Sequence, residues 1–175
     1  MNIMEFSFLY AIPRTAVLDS FFLAVTKIAG ACGQLWVIIA TVLVIFKKAR
    51  KAGVAVLLAY AAVFLIGQLG LKNLIFRQRP CQIDLDFALL VDRPSSSSFP
   101  STHSAWAFGA ATAIFMHHKK VGVVTFIVAA LIAFSRLYMF LHFPTDVLAG
   151  IVLGIALGVL ANWVTGRIWK RWEED

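Results

Sequence analysis

An all-α membrane helix bundle is the fold this sequence predicts, on three observations. Of 175 residues, 61% are hydrophobic and 14% charged, with a mean hydropathy of +0.84. A soluble domain of this size has too little interior to hide that much apolar surface. The apolar residues fall in runs of the length a helix needs to cross hydrocarbon at 1.5 Å per residue. The basic residues cluster between those runs, as membrane topology demands. The net charge of +7 therefore reflects topology, and nucleic acid is not an expected partner. The length suits a single domain over residues 1–175. No Lys or Arg precedes Arg14, and no cleavage-type tripeptide follows a short apolar run, so no removable signal peptide is expected.

Met1 to Arg14 is apolar but short, and reads as an interfacial helix or a lead-in to the first span. Thr15 to Ala31 is the weakest span, because Asp19 and Lys27 lie inside it and must pair or face protein. Gly30 to Gly33 marks a turn. Leu35 to Phe46, beginning near Cys32, runs until Lys47-Lys48-Ala49-Arg50-Lys51. Gly53 to Leu71 is the next span. Residues 77–100 follow as a long loop with Asp84, Asp86, Asp92 and the serine run Ser95 to Ser98, and a loop of that length is functional or disordered. Ser101 to Met116 is a span, closed by His117-His118-Lys119-Lys120, where both histidines are expected to be solvated. Val121 to Leu141 is another. Phe143-Pro144 breaks the chain, and Thr145 to Ile168 is the last span.

About six transmembrane helices result. The clusters at Lys47 to Lys51, Lys119-Lys120 and Arg167 to Arg171 are separated by even numbers of spans, so they share one side. The positive-inside rule makes that side the cytoplasm. Lys72, Pro100 to His103, Arg136 to His142 and Asp146 then gather at the extracytoplasmic interface. Ionisable groups at membrane depth are costly and mark function.

The residue types at that interface suit an anion. Lys72 and Arg79 are seven apart, two helical turns, so they are expected to share one helical face, and Pro80 then stops the helix. Lysine offers phosphate a point charge and arginine a bidentate fork. Arg136 adds a third cation. Arg77 is expected to extend to lipid headgroups instead. Ser101, Thr102 and His103 open a helix whose first-turn amides can hold an anion. His142 and Asp146 are four apart, so the carboxylate can fix the imidazole in one tautomer. A zinc site of two histidines and an aspartate is the competing idea. The surrounding cations oppose it, since they would repel a metal.

Together Lys72-x6-Arg79-Pro80, Pro100-Ser101-Thr102-His103 and Ser135-Arg136-x5-His142-x3-Asp146 resemble the three motifs of the type-2 phosphatidic acid phosphatase superfamily. One departure is Thr102, where that pattern usually has glycine, so a side chain crowds the pocket. The resemblance implies His142 as nucleophile, Asp146 as its orienter and His103 as acid and base. It implies Lys72, Arg79, Ser101, Thr102 and Arg136 as phosphate ligands, with no metal or other cofactor. It also implies a lipid phosphate presented from the bilayer of a bacterial cytoplasmic membrane, at an outward-facing site. Undecaprenyl diphosphate is the first expectation for substrate. Phosphatidylglycerol phosphate, phosphatidate and lipid A phosphate are the alternatives. A transporter or flippase that only binds an anionic headgroup is the rival of another class, and a non-catalytic membrane subunit fits least.

Three features lie outside the motifs. Gly150, Gly154 and Gly158 form a small-residue stripe expected to pack within the chain, with a homodimer as the alternative. Trp163, Trp169 and Trp172 suit an interfacial belt. Cys32 and Cys81 allow one disulfide, although two isolated cysteines in apolar surroundings are more often simply buried.

Overall fold

The computed structural model describes residues 3–30 and 33–174, with side chains to residue 171. Cys32, and with it any pairing to Cys81, lies outside the described residues, as does the side chain of Trp172. Helix α1 spans Ile3–Tyr10, α2 Ala16–Ala29 and α3 Gln34–Ile45. A helix over Arg50–Ala62 (α4) continues through a π-helical stretch, Val63–Leu71, into the turn Lys72–Leu74 (α5). A short helix, α6, covers Pro80–Ile83, followed by α7 (Thr102–His117), α8 (Lys119–Tyr138) and α9 (Pro144–Glu174). Among the described residues there is no strand, as the all-α expectation requires.

Among the described residues, three helices are long and apolar enough to cross a membrane unaided: Arg50–Leu74, Lys119–Tyr138 and Pro144–Arg171. A fourth crossing is available if α2 and α3, bent by 54° between them, act together. The expectation that Thr15 to Ala31 crosses by itself is not met, because α2 is only 14 residues long. Both of its ends also lie at the site-bearing end of the bundle. Asp19 accepts a hydrogen bond from Tyr138 Oη at 2.6 Å, and the Gly30 carbonyl lies 3.0 Å from His103 Nε2. Helix α2 therefore runs across that end rather than through the bundle. Asp19 and Lys27 do not need each other. Asp19 takes Arg14 and Tyr138 as partners, and Lys27 lines a cavity.

Helix α7 is the axis. Its small residues Ala105, Ala107, Gly109, Ala110, Ala111 and Ala113 leave room for neighbours on every side, and all six are buried. The glycine stripe of α9 packs against it, inside the chain as expected. A Cβ on Gly150 would stand 2.3 Å from the Ser101 carbonyl, one on Gly154 2.3 Å from the Ala105 carbonyl, and one on Gly158 2.7 Å from the Gly109 carbonyl. Without side chains in the way, the two backbones touch, which is the general use of such stripes. Helices α4, α7, α8 and α9 alternate in direction, so the basic turns gather at one end, where Lys51 caps the Trp169 ring at 5.4 Å. The other end carries Lys72, Thr102, Tyr138 and Pro144.

Two apolar clusters hold these ends. One, around Trp36, Val56, Trp106, Ala110 and Ile114, fills the bundle. The other packs Phe6, Leu9, Phe22, Cys81, Tyr138, Phe140 and Phe143 over the break between α8 and α9. Phe140 sits there at φ 58°, a conformation that costs a residue with a Cβ about 1–3 kcal/mol. Stacking on Phe87 (centroids 3.8 Å apart) and contact with Tyr10 and Phe6 hold it in place. His142 follows two residues later, so this strained turn sets its approach.

Candidate active site

Helix α5 ends at Leu74, and Ile75 to Arg79 are not helical, with extended backbone at Ile75 and Arg79. This corrects the expectation that Lys72 and Arg79 share a helical face. Pro80 stops no helix; it starts α6, where a missing N–H costs nothing at the first position. The two cations nevertheless meet. Lys72, Arg79, Thr102, His103, Arg136 and His142 all line one cavity of about 410 Å³. Thr26, Lys27, Gly30, Gln68, Asp92 and Ser96 complete much of its wall. The π-helical stretch places Gln68 there, and its Oε1 accepts from Thr102 Oγ1 at 3.1 Å. Such stretches often sit at functional sites.

Ser101 does not reach the cavity. It is fully buried, its hydroxyl 3.0 Å from Ser104 Oγ, and its amide donates to the Asp146 carbonyl at 3.0 Å. That bond ties the first turn of α7 to the first turn of α9.

His142 is 2% exposed and lies between two charged groups. Arg79 Nη1 lies 3.0 Å from Nε2. A guanidinium only donates, so Nε2 accepts and Nδ1 carries the proton. The unprotonated nitrogen thus faces the cavity. Burial pushes the imidazole down to about 3, against the pull of Asp146, so the ring is neutral at pH 7. Burial also lowers Arg79, although Cys81 and Asp146 oppose this. Arg79 donates further to the carbonyls of Ser96 (2.9 Å), Ser97 (3.3 Å) and Leu141 (3.0 Å), which fixes the guanidinium beside the ring.

Asp146 stands 3.8 Å from His142 Nδ1, an ion-pair distance but too long for a hydrogen bond. Its nearer partners were not foreseen. Ser98 Oγ donates to Oδ2 at 2.5 Å, the Phe143 amide to the same oxygen at 2.9 Å, and Arg77 Nη1 to Oδ1 at 2.6 Å. Arg77 also binds Glu5 at 2.6 Å and Thr145 Oγ1 at 2.6 Å. The expectation that Arg77 extends to headgroups is therefore wrong. Two carboxylates draw it inward, and one of them, on α1, lies 72 residues away in the chain. The serine run likewise forms an ordered strap. Ser97 Oγ donates to the Ile75 carbonyl at 2.8 Å, and the Ser98 amide to the Arg77 carbonyl at 2.8 Å. A cluster of polar serines just before Pro100 was the only sequence signal for it.

Arg136, 3% exposed, donates to Ser135 Oγ at 2.9 Å and to Thr26 Oγ1 at 2.5 Å. No carboxylate is among these partners. The cavity therefore gathers four cations, Lys27, Lys72, Arg79 and Arg136, with the His103 ring and the neutral His142 ring, against the exposed Asp92 in its wall. Among the described residues, no three His, Cys, Asp or Glu side chains come together as metal ligands.

This arrangement, on a multi-pass helical scaffold, defines a class: a membrane protein with a cation-lined pocket built from three separated motifs. The model of the PAP2 superfamily matches residues 48–170, and the chain belongs to that family. It is 30% identical over 138 residues to an undecaprenyl-diphosphatase of Sulfolobus acidocaldarius, covering 77% of this chain and 66% of that one. It is 35% identical over 140 residues to phosphatidylglycerophosphatase B of Bacillus subtilis, covering 74% of this chain and 65% of the relative. The chain thus spans just under two thirds of these relatives. The crystal structure of a transmembrane PAP2-type phosphatidylglycerolphosphate phosphatase from Bacillus subtilis superposes with a TM-score of 0.74 at 29% identity, over 96% of this chain and 89% of that one. Members of the family are phosphate-ester hydrolases, and this chain is a membrane member.

Proposed function

We propose that this protein hydrolyses undecaprenyl diphosphate to undecaprenyl phosphate through a phosphohistidine on His142. The observation that carries the reading is the cavity that Lys72, Arg79 and Arg136 line together with a buried, neutral histidine whose unprotonated Nε2 meets Arg79. The terminal phosphoryl group enters between these cations, and Arg79 moves from Nε2 onto a phosphoryl oxygen. Nε2 attacks phosphorus in line with the leaving oxygen. Asp146, held by Ser98 and Arg77, stabilises the positive charge that develops on the ring. His103 gives a proton to the leaving oxygen where one is needed and takes one from the water that later splits the phosphohistidine. Thr102 and the first-turn amides of α7 add donors. Fixed charge and positioning supply most of the acceleration in phosphoryl transfer, so cations can serve where other enzymes use metal.

The likeness to an undecaprenyl-diphosphatase supports this substrate. The likeness to phosphatidylglycerophosphate phosphatases supports phosphatidylglycerol phosphate as the second reading. Phosphatidate and lipid A phosphate share the same chemistry. The basic turns at the far end support an outward-facing site in a bacterial cytoplasmic membrane. The test is phosphate release by the purified protein in detergent, with EDTA present, from undecaprenyl diphosphate, phosphatidylglycerol phosphate and phosphatidate. Release from the diphosphate at the highest kcat/KM is expected, with none from His142→Ala. Turnover by that variant removes the nucleophile, and binding without turnover in the wild type favours a transporter.

A further inference from the structure

Lys27 belongs to none of the three motifs, yet it lines the cavity that unites them. It lies in the last turn of α2, where its carbonyl accepts from the Gly30 amide at 3.1 Å. The Gly30 carbonyl in turn lies 3.0 Å from His103 Nε2. An ammonium is thus rooted within one helical turn of the contact that holds the proposed acid. The preceding residue, Thr26, accepts from Arg136 at 2.5 Å, so the same turn is pinned to the deep wall. Lys27 itself is exposed, and it also lines the adjoining hollow with Leu23, Leu89, Leu90, Val91 and Asp92. Four cations therefore serve one cavity: Lys72, Arg79 and Arg136 by the nucleophile, and Lys27 at the mouth on the His103 side. Asp92 brings the one opposing charge to that mouth.

We propose that Lys27 forms a leaving-group subsite that favours lipid diphosphates over monophosphate esters. The inference rests on the phosphatase reading above and adds a reason for its substrate class. When His142 attacks the terminal phosphorus of a diphosphate, the bond from that phosphorus to the bridging oxygen breaks. The electron pair leaves on a lipid phosphate, whose second ionisation lies near pH 6, at about the value of other phosphate monoesters. At neutral pH this group departs as an anion and gains charge in the transition state. A fixed ammonium beside it stabilises that gain. With phosphatidate the leaving oxygen belongs to an alcohol. It takes the proton of His103 and keeps no charge for Lys27 to meet. Water then attacks the phosphohistidine, its proton passes to His103, and inorganic phosphate and free His142 result in either case.

The test measures kcat/KM for undecaprenyl diphosphate and for phosphatidate with the full-length protein, Lys27→Met and Lys27→Arg. The ratio of the two constants is expected to fall about tenfold or more in Lys27→Met, the scale of one lost charge-assisted contact. Lys27→Arg is expected to restore most of that ratio. Turnover of phosphatidate by the methionine variant reports that the protein is folded. An equal loss on both substrates, or an unmoved ratio, overturns the subsite. A wild-type protein active on phosphatidate but not on diphosphate overturns the proposed substrate itself, and the ligand assigned to Lys27 with it.

Discussion

On one side of His142, Asp146 is fully buried and its oxygens are filled by Ser98, the Phe143 amide and Arg77, with Glu5 behind. On the other side, Arg136 is as deeply buried, and among the described residues its guanidinium donates only to hydroxyls. The first side is a neutralised scaffold. The second holds Arg136 on hydroxyl groups, with no carboxylate among its described partners. Burying a charge unpaired is costly, so a protein keeps such a group where a ligand will pair it. The difference separates what holds the proposed nucleophile from the proposed anion pocket.

The comparison makes its largest prediction for Arg136. Arg136→Met fills similar volume and removes a buried charge that no carboxylate among the described residues pairs. Its kcat/KM should fall about 10²- to 10³-fold, the range for loss of one group that stabilises transition-state charge. Its thermal midpoint in detergent should hold or rise, because desolvation is relieved. A lower midpoint would place Arg136 with the scaffold. Arg77→Met should do the opposite. It strands Asp146 and Glu5, both buried, and breaking a buried pair costs about 3–5 kcal/mol. Arg77 is 30% exposed, so about 2–3 kcal/mol is the fairer figure, read as a lowered thermal midpoint. Its kcat should fall more than its KM changes, because Asp146 loses its anchor while the proposed phosphate pocket stays. Ser98→Ala should cost about 1–2 kcal/mol, the penalty for one buried acceptor left short, with kcat lowered less than in Arg77→Met.

The two sides also differ in how far the sequence disclosed them. The cation pocket was readable because Lys72, Arg79, Arg136, His103 and His142 all fall at ends of apolar runs, and run-counting places those ends together. That logic works even where the local structure was misjudged, as with the non-helical chain from Ile75 to Arg79. The scaffold was not readable. Arg77 meets Glu5 across 72 residues and Asp146 across 69, contacts that no helical period encodes. Ser98 sat in a run that a disordered loop would equally well contain. Helix α2 was misplaced for a related reason. Its composition suits a weak span, but Asp19 and Thr26 have partners on α8 that only the packed bundle reveals. The glycines of α9 were legible, since a four-residue repeat predicts a face whatever lies opposite.

The smallest expected effect tests the boundary of the scaffold. Glu5 Oε2 holds Arg77 at 2.6 Å, and Oε1 accepts from Thr145 Oγ1 at 2.6 Å and from the Thr145 amide at 3.2 Å. Glu5→Gln keeps an oxygen for Thr145 and turns an amide toward Arg77, which cannot accept from it. One charge-assisted bond is lost at a site that Arg77 leaves partly open to solvent. About 1 kcal/mol of stability should go, read as a small drop in the thermal midpoint. Asp146 keeps Arg77, Ser98 and the Phe143 amide, so the ring charge is still met and kcat should change less than threefold. If Glu5→Gln instead lowers kcat as far as Arg77→Met does, then α1 acts with the nucleophile as one unit. The scaffold would then extend from His142 to the start of the chain, and Arg77 would be its middle rather than its edge.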